Sequence, residues 1–226
     1  MTEEAIESVV KSVQDNLSPE EGYVHNSDSQ TAHIVTCMME NREHGEPPWP
    51  IEVPWRVFGV ETVGNQVREK CGNKTALDSS LLHLTSQHDF TAVVVVGHTD
   101  CEAVKDAYEY WVSPSSEPPA GIESRLKPLV SVVDDAFDEG VFEESTPLRA
   151  VQSRLVEYNV VRQVSFLEEH IPNSTTTVGY VYDENGVYGS FPDMKYMVAL
   201  DGRSDPTEIR DRLPEETSVR VASLID

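Results

Sequence analysis

The sequence predicts an α/β fold with a mostly parallel central sheet flanked by helices. Three observations predict it. The run Val93-Val94-Val95-Val96-Gly97 is apolar without alternation, which marks a strand covered on both faces, as in a parallel sheet. Ala32-His33-Ile34-Val35-Thr36-Cys37 is a second short apolar run. Segments with apolar residues at i, i+3, i+4 and i+7 spacing accompany these runs, the mark of helices that bury one face. Both runs end in residues that carry chemistry. One continues into His98-Thr99-Asp100-Cys101 and the other stops at Cys37. Open α/β sheets keep their sites at the carboxyl ends of their strands. If the two strands are neighbours, Cys37, His98 and Cys101 converge there. Two thiols and an imidazole are soft ligands, and His-x-x-Cys is metal-ligand spacing.

The elements follow in order. Residues 3–17 carry Ile6, Val9, Val10, Val13 and Leu17, an amphipathic helix that packs on a partner subunit or on its own domain. Residues 18–30 read as a polar linker, and 32–37 as strand one. Residues 43–50 hold Pro47, Pro48 and Pro50 and are irregular, because proline removes donors and fixes φ. Residues 56–60 read as strand two, which Gly64-Asn65 breaks. Leu77, Leu81, Leu82 and Leu84 predict a helix over 75–88. Strand three covers 91–97, and a helix follows over 101–112. The proline-rich stretch 113–121 is a loop, not a domain boundary. Residues 122–138 and 147–170 are helical. Thr177–Tyr182 is a strand, and Asp183-Glu184-Asn185-Gly186 is a turn whose Asn-Gly step signals a hairpin. Tyr196–Leu200 is the next strand. Asp205-Pro206 opens a short helix, and 218–225 predicts a closing strand. No internal repeats are visible. The chain reads as a single domain over 1–226, with an N-terminal helical arm at about 3–17 and a C-terminal extension at about 190–226.

The bulk properties bound the function. A chain of 226 residues is long enough for one well-cored domain. Forty acidic residues face 17 basic ones, for a net charge of -23. A polyanion would be repelled, so nucleic acid is not an expected partner. The periodic apolar segments speak against disorder. What remains is a folded protein with a densely carboxylated surface, as in halophilic proteins, where high salt screens the self-repulsion. The start Met1-Thr2-Glu3-Glu4 carries no signal peptide, and no apolar run approaches the ~18 residues of a membrane span, so a cytoplasmic location and no membrane partner are expected. Three cysteines do not suit a disulfide framework. Cys71, in Lys70-Cys71-Gly72-Asn73, reads as a free loop cysteine.

The ordered set of Cys37, a helix, a valine strand, Gly97-His98-Thr99-Asp100-Cys101 and a late Tyr158-Asn159-Val160-Val161 helix resembles the β-class carbonic anhydrases. Phe58–Asn65 occupies the place of that family's second strand, and Val178-Gly179-Tyr180-Val181-Tyr182 that of its late strand. The resemblance covers roughly residues 30–190. It implies Zn2+ held by Cys37, His98 and Cys101, with the fourth position open to water. It implies reversible hydration of carbon dioxide to bicarbonate by a zinc-bound hydroxide, and a homodimer or higher homo-oligomer.

The departures bear on catalysis. The family continues Cys-x-Asp-x-Arg, a dyad that orients the hydroxide or caps the metal. Here the sequence is Cys37-Met38-Met39-Glu40-Asn41-Arg42. Without a gap, Met39 and Asn41 take the dyad positions. With one extra residue, Glu40 and Arg42 do, and they are the candidate catalytic pair. Glu61-Thr62 replaces an Arg-Asn step, and Glu102 replaces a glycine after the second cysteine. Glu61 and Glu102 either crowd the metal or point to solvent. Two functions stay open: a carbonic anhydrase-type zinc lyase, acting on carbon dioxide or a similar small linear molecule such as carbonyl sulfide, and a non-catalytic zinc-binding homologue of the same fold.

The arm is directly testable. Deleting residues 1–17 is expected to shift the mass in molar salt toward monomer by light scattering. An unchanged oligomer places the helix on its own subunit.

Overall fold

The computed structural model describes residues 31–37, 56–72, 74–87, 92–114, 120–172, 174–189, 191–214 and 220–225. The two apolar runs form β1 (Thr31–Cys37) and β5 (Ala92–His98), each buried along its whole length. The other strands are β2 (Arg56–Thr62), β3 (Arg68–Cys71), β4 (Lys74–Leu77), β6 (Thr176–Asp183) and β7 (Met194–Leu200). The helices are α1 (Ser79–Gln87), α2 (Glu102–Val112), α3 (Ala120–Asp138), α4 (Leu148–His170) and α5 (Pro206–Arg210). The main sheet runs β2-β1-β5-β6-β7. Its first four strands are parallel and β7 is antiparallel to β6. The α/β class with a mostly parallel sheet and flanking helices is therefore the observed one.

The strand order creates the site. From β1 the chain moves to β2 on one side, and from β5 it moves to β6 on the other. The carboxyl ends of β1 and β5 are neighbours whose connections diverge, the switch point where such sheets open a crevice. In register, Val35 lies opposite Val95. Cys37 at the end of β1 and His98 at the end of β5 thus reach the same edge of the sheet.

Alternation along each strand sorts the core into two faces. Val35, Val93 and Val95 face α2, α3 and α4 in the larger cluster. Ile34, Val94, Val96 and Tyr180 face the other way, against Ile209, Leu213 and Val221. The segment after residue 190 therefore supplies core to the second face. Its α5 is capped by Asp205, whose carboxylate accepts from the Thr207 and Glu208 amides, with Pro206 in the first turn. Helix α4 lies directly on the sheet because glycine makes room. A Cβ at Gly97 would meet Val160 at 2.8 Å and Val156 at 3.0 Å, and one at Gly179 would meet Val160 at 2.7 Å.

Four expectations need correction. Residues 74–77 are a strand paired with 68–71, not the start of a helix. Leu77 ends the strand and Leu81 lies in the helix, so helical spacing spans two elements. Asp78 separates them, its carboxylate capping α1 through the Ser80 amide at 2.9 Å. Cys71 is the exposed end of β3, not loop, with Gly72 (φ 63) making the turn. The Asn185-Gly186 step does not close a two-residue hairpin. Asp183, fully buried, accepts from the amides of Asn185, Val187 and Tyr188 and curls the chain into a longer connection to β7. The closing strand expected over 218–225 is, among the described residues, a single bridge from Val221 to Met197. The helix expected over 3–17 and the loop over 43–50 lie outside the described residues.

The helix-to-sheet contact yields a prediction. Gly97→Ala is expected to destabilise by about 1–3 kcal/mol, because two valines of α4 must move. Gly59→Ala, where nothing lies within 4 Å, is expected to stay within about 0.5 kcal/mol. Urea denaturation at constant molar KCl measures both.

Candidate metal centre

The three sequence-predicted ligands come together. Cys37 Sγ, Cys101 Sγ and a ring nitrogen of His98 all lie within 4.8 Å of one another, an arrangement that could hold a metal ion. All three residues are buried, with exposures of 1 %, 2 % and 4 %. The two sulfurs are 3.6 Å apart. Two thiolates ~2.3 Å from a tetrahedral ion stand about 3.8 Å apart, so the pair fits such an ion without moving. Without a cation the Cys101 thiol resists ionisation. The Cys101 thiol is pushed well above its ordinary value, first by its hydrogen bond to Cys37 and then by burial.

Local structure prepares each ligand. Cys101 precedes the first turn of α2. The backbone of Ala103 and Val104 in that turn works against the upward shift. Ahead of it, Asp100 takes a left-handed conformation (φ 61) that turns the chain from β5 into the helix. Cys37 receives the Gly64 amide at 3.3 Å. Gly64 lies in the 3-10 turn Val63–Asn65 that follows β2, and Cys37 pairs with Thr62 at the start of that turn. Gly64 has φ 65, and a Cβ there would meet Leu129 at 2.6 Å, so only glycine fits. His98 Nδ1 lies 3.2 Å from the Thr99 carbonyl. A carbonyl only accepts, so Nδ1 carries the proton, and in the neutral ring Nε2 holds the lone pair a metal requires.

Sequence reasoning missed two groups. Glu184 Oε1 lies 3.8 Å from His98 Nδ1, a carboxylate placed to orient and polarise the ring. Its own amide donates to Thr99 Oγ1 at 2.9 Å, and Asn185 reaches Asp100 at 2.6 Å. No local pattern announces Glu184. It matters only because β6 pairs with β5 and sets Tyr182 opposite His98. The Gly64 amide is the other missed group. Its one signal is the Gly64-Asn65 break after a strand.

The remaining candidates separate. Glu61 and Glu102 are both exposed, and Glu102 pairs with Lys105 at 3.1 Å. Cys71 Sγ lies 3.9 Å from Glu69, away from the cluster. His83 is exposed on α1. Glu40, Arg42 and His88 lie outside the described residues.

A carbonic anhydrase family model matches residues 53–182, a span holding His98 and Cys101. This chain belongs to the β-carbonic anhydrase family. The match begins after β1, so Cys37 enters the site through the sheet. Solved β-carbonic anhydrases share the fold. A mutant form of CafD from the fungus Aspergillus fumigatus aligns at 16% identity and TM-score 0.51, over 84% of this chain and 96% of that one. The Coccomyxa enzyme, solved with acetazolamide, aligns at 20% identity and TM-score 0.52, over 68% of each chain. Tetrameric β-carbonic anhydrases from Sordaria macrospora align at 17% identity and TM-score 0.50, over 69% of this chain and 76% of theirs. No curated protein matches the chain. No described helix is long and apolar enough to cross a membrane.

The cluster predicts its own loss. Cys101→Ser is expected to remove most of the bound metal, while Cys71→Ser leaves it in place. Elemental analysis of the two purified variants distinguishes this site from adventitious binding.

Proposed function

We propose that this protein is a zinc-dependent carbonic anhydrase that interconverts carbon dioxide and bicarbonate. The observation that carries the reading is the buried Cys37–His98–Cys101 cluster at the switch point of a β-carbonic anhydrase fold. Two thiols and one imidazole suit zinc among the divalent ions. Bound there, zinc supplies the Lewis acidity that makes water a nucleophile near neutral pH. The chain's own residues do the rest. The Gly64 amide carries part of the charge of the Cys37 sulfur, and the backbone at Ala103 and Val104 favours the ionised Cys101. The Thr99 carbonyl and Glu184 hold the His98 ring in one tautomer and one orientation.

Glu40 and Arg42 complete the proposal. The sequence after Cys37, read with one extra residue relative to the family pattern, gives a carboxylate and a guanidinium two positions apart. Glu40 would accept a hydrogen bond from the attacking hydroxide and Arg42 would fix Glu40, so that the oxygen lone pair faces the substrate carbon. The acidic surface, with its net charge of -23, fits work in high salt inside the cell, and the protein acts as a homodimer or higher homo-oligomer.

One observation favours a second reading. Met39 and Asn41 take the dyad positions when no residue is inserted, and the protein is then a non-catalytic zinc-binding relative.

A hydration assay in molar salt decides. Wild type is expected to hydrate carbon dioxide above the rate of free zinc, in a chelator-sensitive manner. Glu40→Gln is expected to lose on the order of 10–100-fold in rate at unchanged zinc content. Full activity in Glu40→Gln removes Glu40 from the mechanism. A zinc-loaded but inactive wild type leaves the non-catalytic reading.

A further inference from the structure

We propose that Asn159 of α4 is a positioning residue for the metal ligand Cys37, acting through the backbone of Gly64. The inference rests on the zinc reading of the Cys37–His98–Cys101 cluster and adds to it a residue that touches none of the three ligands directly.

A hydrogen-bonded chain runs through the core between α4 and the sulfur. Asn159, 1 % exposed, donates from Nδ2 to the Gly64 carbonyl at 2.9 Å and to Asn65 Oδ1 at 3.2 Å. Its Oδ1 accepts from Gln163 Nε2 at 2.9 Å. Gln163, fully buried, accepts the Val67 amide on Oε1 at 3.1 Å. The partners fix both amide orientations. The Gly64 carbonyl only accepts and the Val67 amide only donates, so neither side chain can flip without breaking a bond at each end. The pair therefore grips the 63–67 segment at two points, and the Gly64 amide, on the same residue as the first of them, points at Cys37 Sγ.

That segment needs a grip. Gly64 and Asn65 are consecutive left-handed residues, at φ 65 and φ 48. Such a conformation persists where the surroundings over-determine it, and it is rare for a non-glycine residue. A leucine at 159 would serve helix packing equally well. A buried carboxamide there is used to hold polar backbone. Asn159 thus sets the direction of an N–H that bears on a metal-ligating sulfur, the role outer-shell partners play for first-shell ligands.

The experiment compares wild type, Asn159→Asp, Asn159→Ala and Val164→Ala in molar salt. Asn159→Asp keeps the acceptor for Gln163 and removes the donor to Gly64. Should Asn159→Ala fail to fold, Asn159→Asp carries the test. Val164 is a buried α4 residue packed over Gly179, away from the 63–67 segment, and its truncation controls for lost stability alone. Two readouts are taken: zinc affinity by chelator competition, and the thiolate-to-cobalt charge-transfer absorption of the Co(II)-loaded protein. The Asn159 variants are expected to bind zinc roughly 10–100-fold more weakly and to shift that absorption. Val164→Ala is expected to lose stability while keeping affinity within about twofold and the absorption unmoved. Asn159 variants with wild-type affinity and absorption overturn the positioning role. So does an equal loss of affinity in Val164→Ala. Wild type that takes up no zinc overturns the metal reading itself, a result distinguishable from either.

Discussion

Two sulfurs 3.6 Å apart, out of reach of water, are the constraint on which the rest of the site depends. A single desolvated thiolate is costly, and two side by side repel each other. The fold answers with backbone dipoles. The backbone of the first turn of α2 works against the raised Cys101 thiol, and the turn after β2 offers the Gly64 amide to Cys37. The remaining imbalance is what a divalent cation would cancel. The Thr99 carbonyl holds a proton on Nδ1, so the neutral His98 ring presents its lone pair on Nε2 and as a third donor adds no further charge.

Close packing of α4 on the sheet makes this geometry possible. Gly97 and Gly179 lie under Val160, and Gly64 lies against Leu129 of α3. Small residues at these positions bring the helices within reach of the turn that serves Cys37. The same helix ties down the far end of the chain. Glu157 accepts from the Tyr188 hydroxyl at 2.7 Å, Ser223 Oγ at 2.6 Å and the Leu224 amide at 2.8 Å. A carboxylate so deeply buried is tolerable because donors meet both of its oxygens. The segment after residue 190 is thus joined to the core by hydrogen bonds as well as by Ile209, Leu213 and Val221.

Much of this was legible in the residues. The valine run and the Ala32–Cys37 run gave parallel strands because burial on both faces leaves an unbroken apolar stretch. The long helices α3 and α4 were legible from their periodicity, and α5 from its Asp-Pro start. The short pieces were not. Leu77 and Leu81 keep helical spacing across a strand and a helix, and Asn185-Gly186 is overruled by the buried Asp183 carboxylate that gathers the amides after it. In each case a local pattern met a tertiary contact of greater consequence.

By itself the sequence determined the kinds of element, the donor set of two thiols and one imidazole, and the acidic exterior, because period and side-chain chemistry are local properties. Only the tertiary structure decided that β1 lies beside β5, that the Gly64 amide serves Cys37 across 27 residues of chain, and that Cys101 meets Cys37 across 64. It alone decided that Glu184 faces His98. Strand order and the direction of a hydrogen bond are set by how whole elements pack, and no stretch of sequence contains both partners.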